Sequence, residues 1–300
     1  MASDSVSLSI VLLVVGSAFL HALWNAILKR QEKPEWAAVG ITFVSAASTV
    51  ALALTTASSP PPMAAILLSV ASGVFEAGYF VTLAKALARA PLGVAYTVAR
   101  GGALLLIWPI SVLWLGEKVT ATTVCGTALV VCGLILVGWS NERKSAPRPA
   151  SSPASSMSPA SLRAGIGWAM ACAVFITGYH LLYKRAMQAQ GTPTVVLAVS
   201  MLVASTVSVA WHGRATMTTV ARYVRAHPWP IVIAGLLTTA SFVAFLGALE
   251  RGGAGIIMTL RNTSVLFAQV LAWLGGERSR PLQIAGTLAV AAGAVCMAWP

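Results

Sequence analysis

The chain has 300 residues, of which 57% are apolar and only 9% are charged, and its mean hydropathy is +0.81. A soluble globular domain carries about 25% charged residues, so this composition excludes a water-soluble protein and indicates that a lipid bilayer is the main solvent. The net charge of +12 does not indicate nucleic-acid binding, because the lysines and arginines lie mostly at the ends of apolar segments, where they meet lipid headgroups.

Ten apolar segments follow one another along the chain, each about 20 residues long and without the alternation of a strand. Lipid offers no hydrogen-bond partners to the backbone, so we expect these segments to span the bilayer as α-helices. The predicted spans are residues 8–28, 36–56, 63–84, 92–114, 120–139, 164–183, 194–212, 229–249, 254–274 and 281–299. Residues 1–7 lack the basic stretch of a cleavable signal peptide, so the first segment is expected to remain a helix.

A low-complexity stretch, SNERKSAPRPASSPASSMSPAS, separates the fifth segment from the sixth. Its Pro, Ser and Ala content cannot form a packed core, which is typical of a flexible connector. The predicted organisation is a first five-helix repeat at residues 1–140, a flexible linker at residues 141–162 and a second five-helix repeat at residues 163–300.

The two halves resemble each other in sequence. Residues 114–139 align with residues 274–299 at an offset of 160, and an offset of 162 relates Gly93 to Gly255. The identities at the first offset are Gly116/Gly276, Glu117/Glu277, Gly126/Gly286, Thr127/Thr287, Val130/Val290, Gly133/Gly293 and Trp139/Trp299. Because each repeat has an odd number of spans, the second half must be inverted in the membrane, an arrangement typical of secondary transporters with a substrate site near the midplane.

The loop charges predict the orientation of the chain. If the N-terminus lies outside, 14 lysines and arginines fall in cytoplasmic loops and 4 in outer loops. The positive-inside rule therefore places both termini outside the cytoplasm. We expect a multi-pass protein of a plasma (inner) membrane, bacterial in type, with the lipid bilayer as its surroundings.

Three sequence features resemble a known family. The opening HALWNAILKR (residues 21–30) and the two Gly-Glu pairs, each followed by an apolar helix with spaced glycines, are similar to EamA-like members of the drug/metabolite transporter superfamily. The resemblance covers nearly the whole chain in two copies. It implies a ten-helix carrier for amino acids, sugars or other metabolites. The wording TGYHLLYKRAM in the second half (residues 177–187) departs from the usual family pattern and leaves the substrate open.

Two charged residues lie deep within neighbouring predicted spans. Glu76 lies just past the centre of the third span and Arg100 just before the centre of the fourth, which runs the opposite way, so both have a similar depth. Charged groups in a membrane are costly and often functional. An ion pair between them would lock the two helices together. Alternatively, Glu76 is a titratable switch that couples transport to protons, and Arg100 binds substrate.

Arg261 has no charged counterpart, because the position that matches Glu76 in the second half is near Thr238 and Thr239. A guanidinium at this depth should face water or an anion, and its planar fork suits a carboxylate or phosphate. We predict that Arg261 and Asn262 contact an anionic part of a substrate. The alternative is that Arg261 caps the carbonyls of a broken helix.

The remaining candidates for substrate binding are aromatic and hydrogen-bonding residues. They are His21, Trp24 and Asn25 on one face of the first helix, Tyr179 and His180 at the matching positions of the sixth, Tyr79 beside Glu76, and Tyr96 four residues before Arg100. Such residues line cavities in carriers, but they also serve as interhelical contacts in membrane proteins.

These features predict a secondary transporter of a small polar metabolite, anionic or zwitterionic, such as an amino acid, working by alternating access. The alternatives are a channel or a membrane-embedded enzyme acting on lipid, although the sequence has no HxxxH motif, no Asp-rich motif and no Gly-rich phosphate loop. Glycines seven residues apart in the fifth and tenth spans indicate a contact between the halves or a homodimer face. The four cysteines have no metal-site spacing, so neither a metal nor a cofactor is expected.

Overall fold

A computed structural model describes residues 8–57, 60–115, 121–142, 158–251, 254–277 and 279–298. Within these ranges the secondary structure is entirely helical. The helices are α1 (Leu8–Lys29), α2 (Pro34–Thr56), α3 (Met63–Arg89), α4 (Leu92–Leu115), α5 (Ala121–Glu142), α6 (Pro159–Gln188), α7 (Pro193–His212), α8 (Arg214–Ala226), α9 (Pro228–Arg251), α10 (Ala254–Arg261), α11 (Ser264–Leu274) and α12 (Pro281–Ala298). Residues 143–157, most of the predicted linker, lie outside the described residues.

Seven of the described helices are long and apolar enough to cross a membrane: α1, α2, α3, α6, α7, α9 and residues Leu92–Ile110 of α4. Shorter apolar helices occupy Val124–Val137, Ser264–Leu274 and Pro281–Cys296. Large apolar side chains point outward from the bundle, and Leu54 is 82% exposed and Leu113 87% exposed. Such an apolar exterior is suited to lipid contact. The predicted all-helical membrane fold is thus confirmed for the described residues.

The ninth predicted span, residues 254–274, is divided into α10 and α11 by a turn at Asn262 and Thr263. The Thr263 hydroxyl donates to the Leu260 carbonyl at 2.6 Å, and the Thr263 amide donates to the same carbonyl at 3.1 Å. Bonds between residues three apart thus replace the helical bonds between residues four apart. Short polar side chains compete with the helix in this way, whereas the hydropathy of the segment predicts an uninterrupted span.

A further helix, α8, forms in the loop predicted between the seventh and eighth spans. Val220 and Tyr223 are buried against the bundle, whereas Arg222 and Arg225 are exposed. The helix is therefore amphipathic and suited to the membrane surface.

Glycines allow helices of the two halves to pack closely. A Cβ at Gly133 of α5 would lie 2.5 Å from the carbonyl oxygen of Gly286 in α12, and a Cβ at Gly293 would lie 2.6 Å from that of Gly126. The glycine pattern predicted as a contact between the halves or as a dimer face therefore serves a contact between α5 and α12 within the chain.

Helices α3 and α6 also pack through glycines, in a reciprocal arrangement. Gly78 of α3 lies against the ring of Phe175, and Gly178 of α6 lies against the ring of Phe75. The two phenylalanine rings are edge to face with centroids 6.1 Å apart. This close contact holds Tyr79 of α3 and Tyr179 of α6 next to each other at the centre of the bundle.

Candidate functional site

His21 of α1 lies at the centre of a buried polar cluster. Its Nδ1 is 3.2 Å from Nη2 of Arg261 and 3.4 Å from Nε1 of Trp24, and its Nε2 is 3.2 Å from the hydroxyl of Tyr79. Guanidinium and indole N–H groups can only donate, so Nδ1 accepts and Nε2 carries the proton, which it donates to Tyr79. Ser241 of α9 lies 3.4 Å from Nδ1 and bonds to the backbone of Ser17. His21 therefore links α1, α3, α9 and α10.

Arg261, the last residue of α10, is buried against aromatic rings. Its guanidinium carbon lies 3.8 Å from the ring centroid of Phe245 and 4.7 Å from that of Phe242. Its Nε and Nη1 have no hydrogen-bond partner among the residues that the structure describes. Arg261 therefore has donors available to a bound anion, and a guanidinium stacked on rings keeps its fork in a fixed orientation.

Arg100 of α4 lies near the same cluster. It is only 2% exposed, and its guanidinium carbon lies 5.6 Å from the ring centroid of Tyr96, one helical turn earlier. The Tyr96 ring lies 6.3 Å from the His21 ring. Within the described ranges, Nη2 of Arg100 has no hydrogen-bond partner. Arg100 is thus connected to the cluster through Tyr96, and Arg261 through His21.

Helix α6 completes the cluster with Tyr179 and His180. The Tyr179 ring lies 5.4 Å from that of Tyr79 and 5.9 Å from that of Phe242, and the His180 ring lies 5.4 Å from that of Phe245. The Tyr179 hydroxyl and both ring nitrogens of His180 lack partners in the part of the chain that is described. These polar atoms are buried yet able to bond to a small polar molecule.

Glu76 is fully buried and bonds to a neighbouring helix. Its Oε2 accepts a hydrogen bond of 2.6 Å from the hydroxyl of Ser200 in α7. Among the described residues, neither Arg100 nor any other cation lies within ion-pair distance of Glu76; Arg89 and Glu35 form such a pair, at 3.0 Å. Of the two alternatives for Glu76, the ion pair with Arg100 is thus not formed, because α3 turns the carboxylate toward α7 rather than toward α4.

Two predicted residues have mainly local contacts. Asn25 donates from Nδ2 to the carbonyl of His21 at 2.6 Å, and its Oδ1 lacks a partner within the described chain. Asn262 is 8% exposed and lies in the turn between α10 and α11. Trp24 additionally packs against Phe80, with ring centroids 5.5 Å apart.

The site includes residues that the sequence reasoning missed, namely Ser200, Ser241, Phe242 and Phe245. The internal repeat carried a signal for one of them. Phe80 and Phe242 are separated by 162 positions, the offset that relates Gly93 to Gly255. Phe80 packs against Trp24 and Phe242 packs against Tyr179, and Trp24 and Tyr179 are themselves matching residues of the two halves. No group of three or more His, Cys, Asp or Glu side chains in the described residues could hold a metal ion.

The second half of the chain matches a known family. Residues 163–299 match the EamA-like transporter family, which is a family of transporters rather than enzymes. A solved crystal structure of a protein resembles this chain with a TM-score of 0.61 and 19% identity, covering 98% of this chain and 96% of that one. At that identity, the likeness shows a shared fold alone. Residues 163–299 of this multi-pass membrane protein thus match the EamA-like transporter family that the sequence resemblance predicted, and the match is consistent with the drug/metabolite transporter superfamily.

Proposed function

We propose that the protein is a secondary transporter that carries a small polar metabolite, anionic or zwitterionic, by alternating access. The observation that carries this proposal is the buried cluster around His21, to which both halves contribute. The first half supplies His21, Tyr79 and Arg100, and the second half supplies Tyr179 and Arg261. A buried cluster whose hydrogen-bond donors are partly unpartnered among the described residues, at the junction of two repeats, suits a substrate site of a carrier.

In the proposed architecture, α10 and α11 together form the ninth of ten spans, and residues 1–140 and 163–300 form inverted repeats. The packing of the helices supports this. If each helix of a packed pair is replaced by its equivalent in the other half, the result is again a packed pair. Helix α3 packs on α6 as α1 packs on α9, α3 on α7 as α2 on α9, and α4 on α6 as α1 on α11. The pairs α2/α7 and α5/α12 each exchange with themselves.

We further propose that both termini face outward from a plasma membrane of bacterial type. Four of the loops assigned to the cytoplasm contact one another in pairs. The backbone amide of Lys33 lies 3.4 Å from the hydroxyl of Tyr223 in α8, and the amide of Leu92 donates to the Glu277 carboxylate at 3.0 Å. Exposed Arg222 and Arg225 of α8 would then lie on the side where anionic lipid attracts basic residues.

The chemistry of the cluster supports recognition of a negatively charged group. An isolated arginine at the centre of a membrane is disfavoured by about 2.5–3.5 kcal/mol on insertion scales, and an anion that accepts from the guanidinium offsets this. Arg261, with Nε and Nη1 unpartnered in the described chain, is the residue best placed for it. Rings of Tyr79, Tyr179 and Phe242 would enclose the apolar part of the substrate. Glu76 remains the candidate for proton coupling.

Purified protein in proteoliposomes tests this function. We expect saturable uptake of charged metabolites that accelerates when the same metabolite is present on the far side, because one site alternates between the two faces. Arg261→Gln should lower the uptake rate at least tenfold, whereas Arg251→Gln, at an exposed arginine, should leave it unchanged. Linear, non-saturating flux would identify a channel instead, and chemical conversion of added lipid would identify an enzyme.

A further inference from the structure

The buried charges of the cluster are unbalanced. Among the described residues, the buried lysine, arginine, aspartate and glutamate side chains are Arg100, Arg261 and Glu76. The Glu76 carboxylate is bonded to Ser200 and does not form an ion pair with either arginine. Each guanidinium is therefore without a protein counter-ion in the part of the chain described, although each lies within a membrane-spanning bundle.

The two arginines occupy nearly equivalent places in the two halves. They are 161 positions apart, between the offset of 162 for Gly93 and Gly255 and the offset of 160 for Gly116 and Gly276. Arg100 approaches from α4 and lies over the Tyr96 ring, and Arg261 approaches from α10 and contacts His21, whose ring lies 6.3 Å from that of Tyr96. Both carry N–H groups without a partner among the described residues: Nη2 of Arg100, and Nε and Nη1 of Arg261.

From this arrangement we infer that the substrate carries two negative charges on oxygen atoms, one for each guanidinium, and binds between Arg100 and Arg261. The shared chemistry is that of a small dianion, either a dicarboxylate or a doubly ionised phosphoryl or phosphonyl group. Arginine forks bind both kinds of oxyanion in a bidentate manner. The inference rests on the proposed transport function and narrows its substrate class.

A zwitterion suits the site less well. Its ammonium group would lie near two guanidiniums that repel it, and the buried carboxylate of Glu76 is already held by Ser200 on α7. A monoanion would leave one guanidinium without a counter-ion in a setting where water is scarce. A dianion balances both charges, and the unpartnered hydroxyl of Tyr179 and ring nitrogens of His180 in the described chain offer further hydrogen bonds.

The test compares ligands of matched size by calorimetry and thermal shift on the full chain in detergent. Succinate, butyrate and 4-aminobutyrate form one series with two, one and no net negative charges. Methylphosphonate, at a pH where it is doubly ionised, is paired with the monoanion methanesulfonate. We expect the dianion in at least one series to bind at least tenfold more tightly than its monoanion, and the zwitterion to bind no more tightly than butyrate. A larger difference in affinity between succinate and butyrate would indicate recognition of carboxylates. A larger difference between methylphosphonate and methanesulfonate would indicate recognition of a phosphonyl group.

Variants then test the role of each arginine. Arg100→Gln and Arg261→Gln should each lower the affinity for the dianion to that of the monoanion, while the affinity for the monoanion changes less than threefold. Arg251→Gln is the matched control at an exposed arginine and should change neither. If a glutamine variant does not fold, Arg→Lys at the same position keeps the charge and should retain the preference for the dianion, although with weaker binding.

Two outcomes would overturn the inference: a monoanion or zwitterion that binds as tightly as the dianion, or arginine variants that weaken all ligands by the same factor. Failure of the transport function itself has a different signature. If the dianion binds as expected but its flux into proteoliposomes never saturates, the inference on charge stands and the carrier mechanism is wrong. If a monoanion or zwitterion is carried by saturable, trans-accelerated uptake and dianions are not, only the dianion inference is wrong.

Discussion

Lys29 and Glu277, one from each half of the chain, hold opposite sides of the same turn between α3 and α4. The Lys29 ammonium donates to the carbonyls of Leu87 and Ala90 at 2.6 and 2.8 Å, and Oε1 of Glu277 accepts from the Leu92 amide at 3.0 Å. The lysine thus binds one carbonyl in the last turn of α3 and the carbonyl of the residue that follows the helix, and the glutamate binds the N-terminal amide of α4. Both charges have the sign that the helix dipoles favour.

We predict that Lys29→Met destabilises the protein by about 1.5–3 kcal/mol, the range for hydrogen bonds to a charged group. The methionine keeps the length of the side chain but leaves the carbonyls of Leu87 and Ala90 without their donor. Thermal unfolding in detergent measures the effect. Lys33→Met, at an exposed lysine of the same loop, is the control and should change the midpoint little. Equal midpoints for the two variants would show that the bonds of Lys29 do not contribute to stability.

The contact between α5 and α12 predicts a strong difference between two glycine substitutions. Gly133→Val forces side-chain atoms into the Gly286 carbonyl and the Val290 amide, each of which lies within 2.8 Å of a Cβ at this position. Overpacking of this kind destabilises by about 1–3 kcal/mol.

The control for Gly133 is Gly167→Ala on α6. A Cβ there has no neighbour within 4 Å, and replacing a helical glycine by alanine should stabilise by about 0.5–1 kcal/mol. Denaturation midpoints of both variants provide the measurement. Tolerance of valine at residue 133 would mean that the two halves are not in contact at this point.

Glu76→Gln tests proton coupling without removing the hydrogen bond from Ser200, because the glutamine carbonyl can accept it. We expect the variant to fold and to transport at a rate that no longer depends on pH. His180→Gln is the control for the other titratable groups of the cluster, and its transport should keep the pH dependence of the unchanged protein. A pH profile that Glu76→Gln leaves unaltered would eliminate the coupling role of Glu76.

The membrane fold could be predicted from sequence because the length and polarity of an apolar run are local properties. The depth of Arg100 and Glu76 could also be predicted, since it follows from position along a span. Whether the two side chains pair could not be predicted, because pairing depends on the rotation of α3 relative to α4 and α7. Contacts such as that of Gly78 with Phe175 set this rotation. Similar depth allows an ion pair between Glu76 and Arg100, but the structure does not contain it.

The central polar residues were easier to predict than the aromatic residues around them. His21 and Arg261 stand out in apolar segments because polar groups are costly there. Phe242 and Phe245 are ordinary residues of an apolar helix, and only their contact with Arg261 distinguishes them. The break after Arg261 was equally hidden, because averaging hydropathy over a span does not register two polar residues, Asn262 and Thr263.

In a carrier that works by alternating access, the cluster around His21 must be reached in turn from both faces of the membrane. Ser241→Cys places a thiol of nearly the same size beside Nδ1 of His21 in a variant whose own cysteines, Cys125, Cys132, Cys172 and Cys296, are replaced by serine. A small membrane-impermeant methanethiosulfonate should then label residue 241 both from outside intact vesicles and from outside inverted ones, and bound substrate should slow both reactions. Labelling from one face only, or from neither, would contradict alternating access at this site.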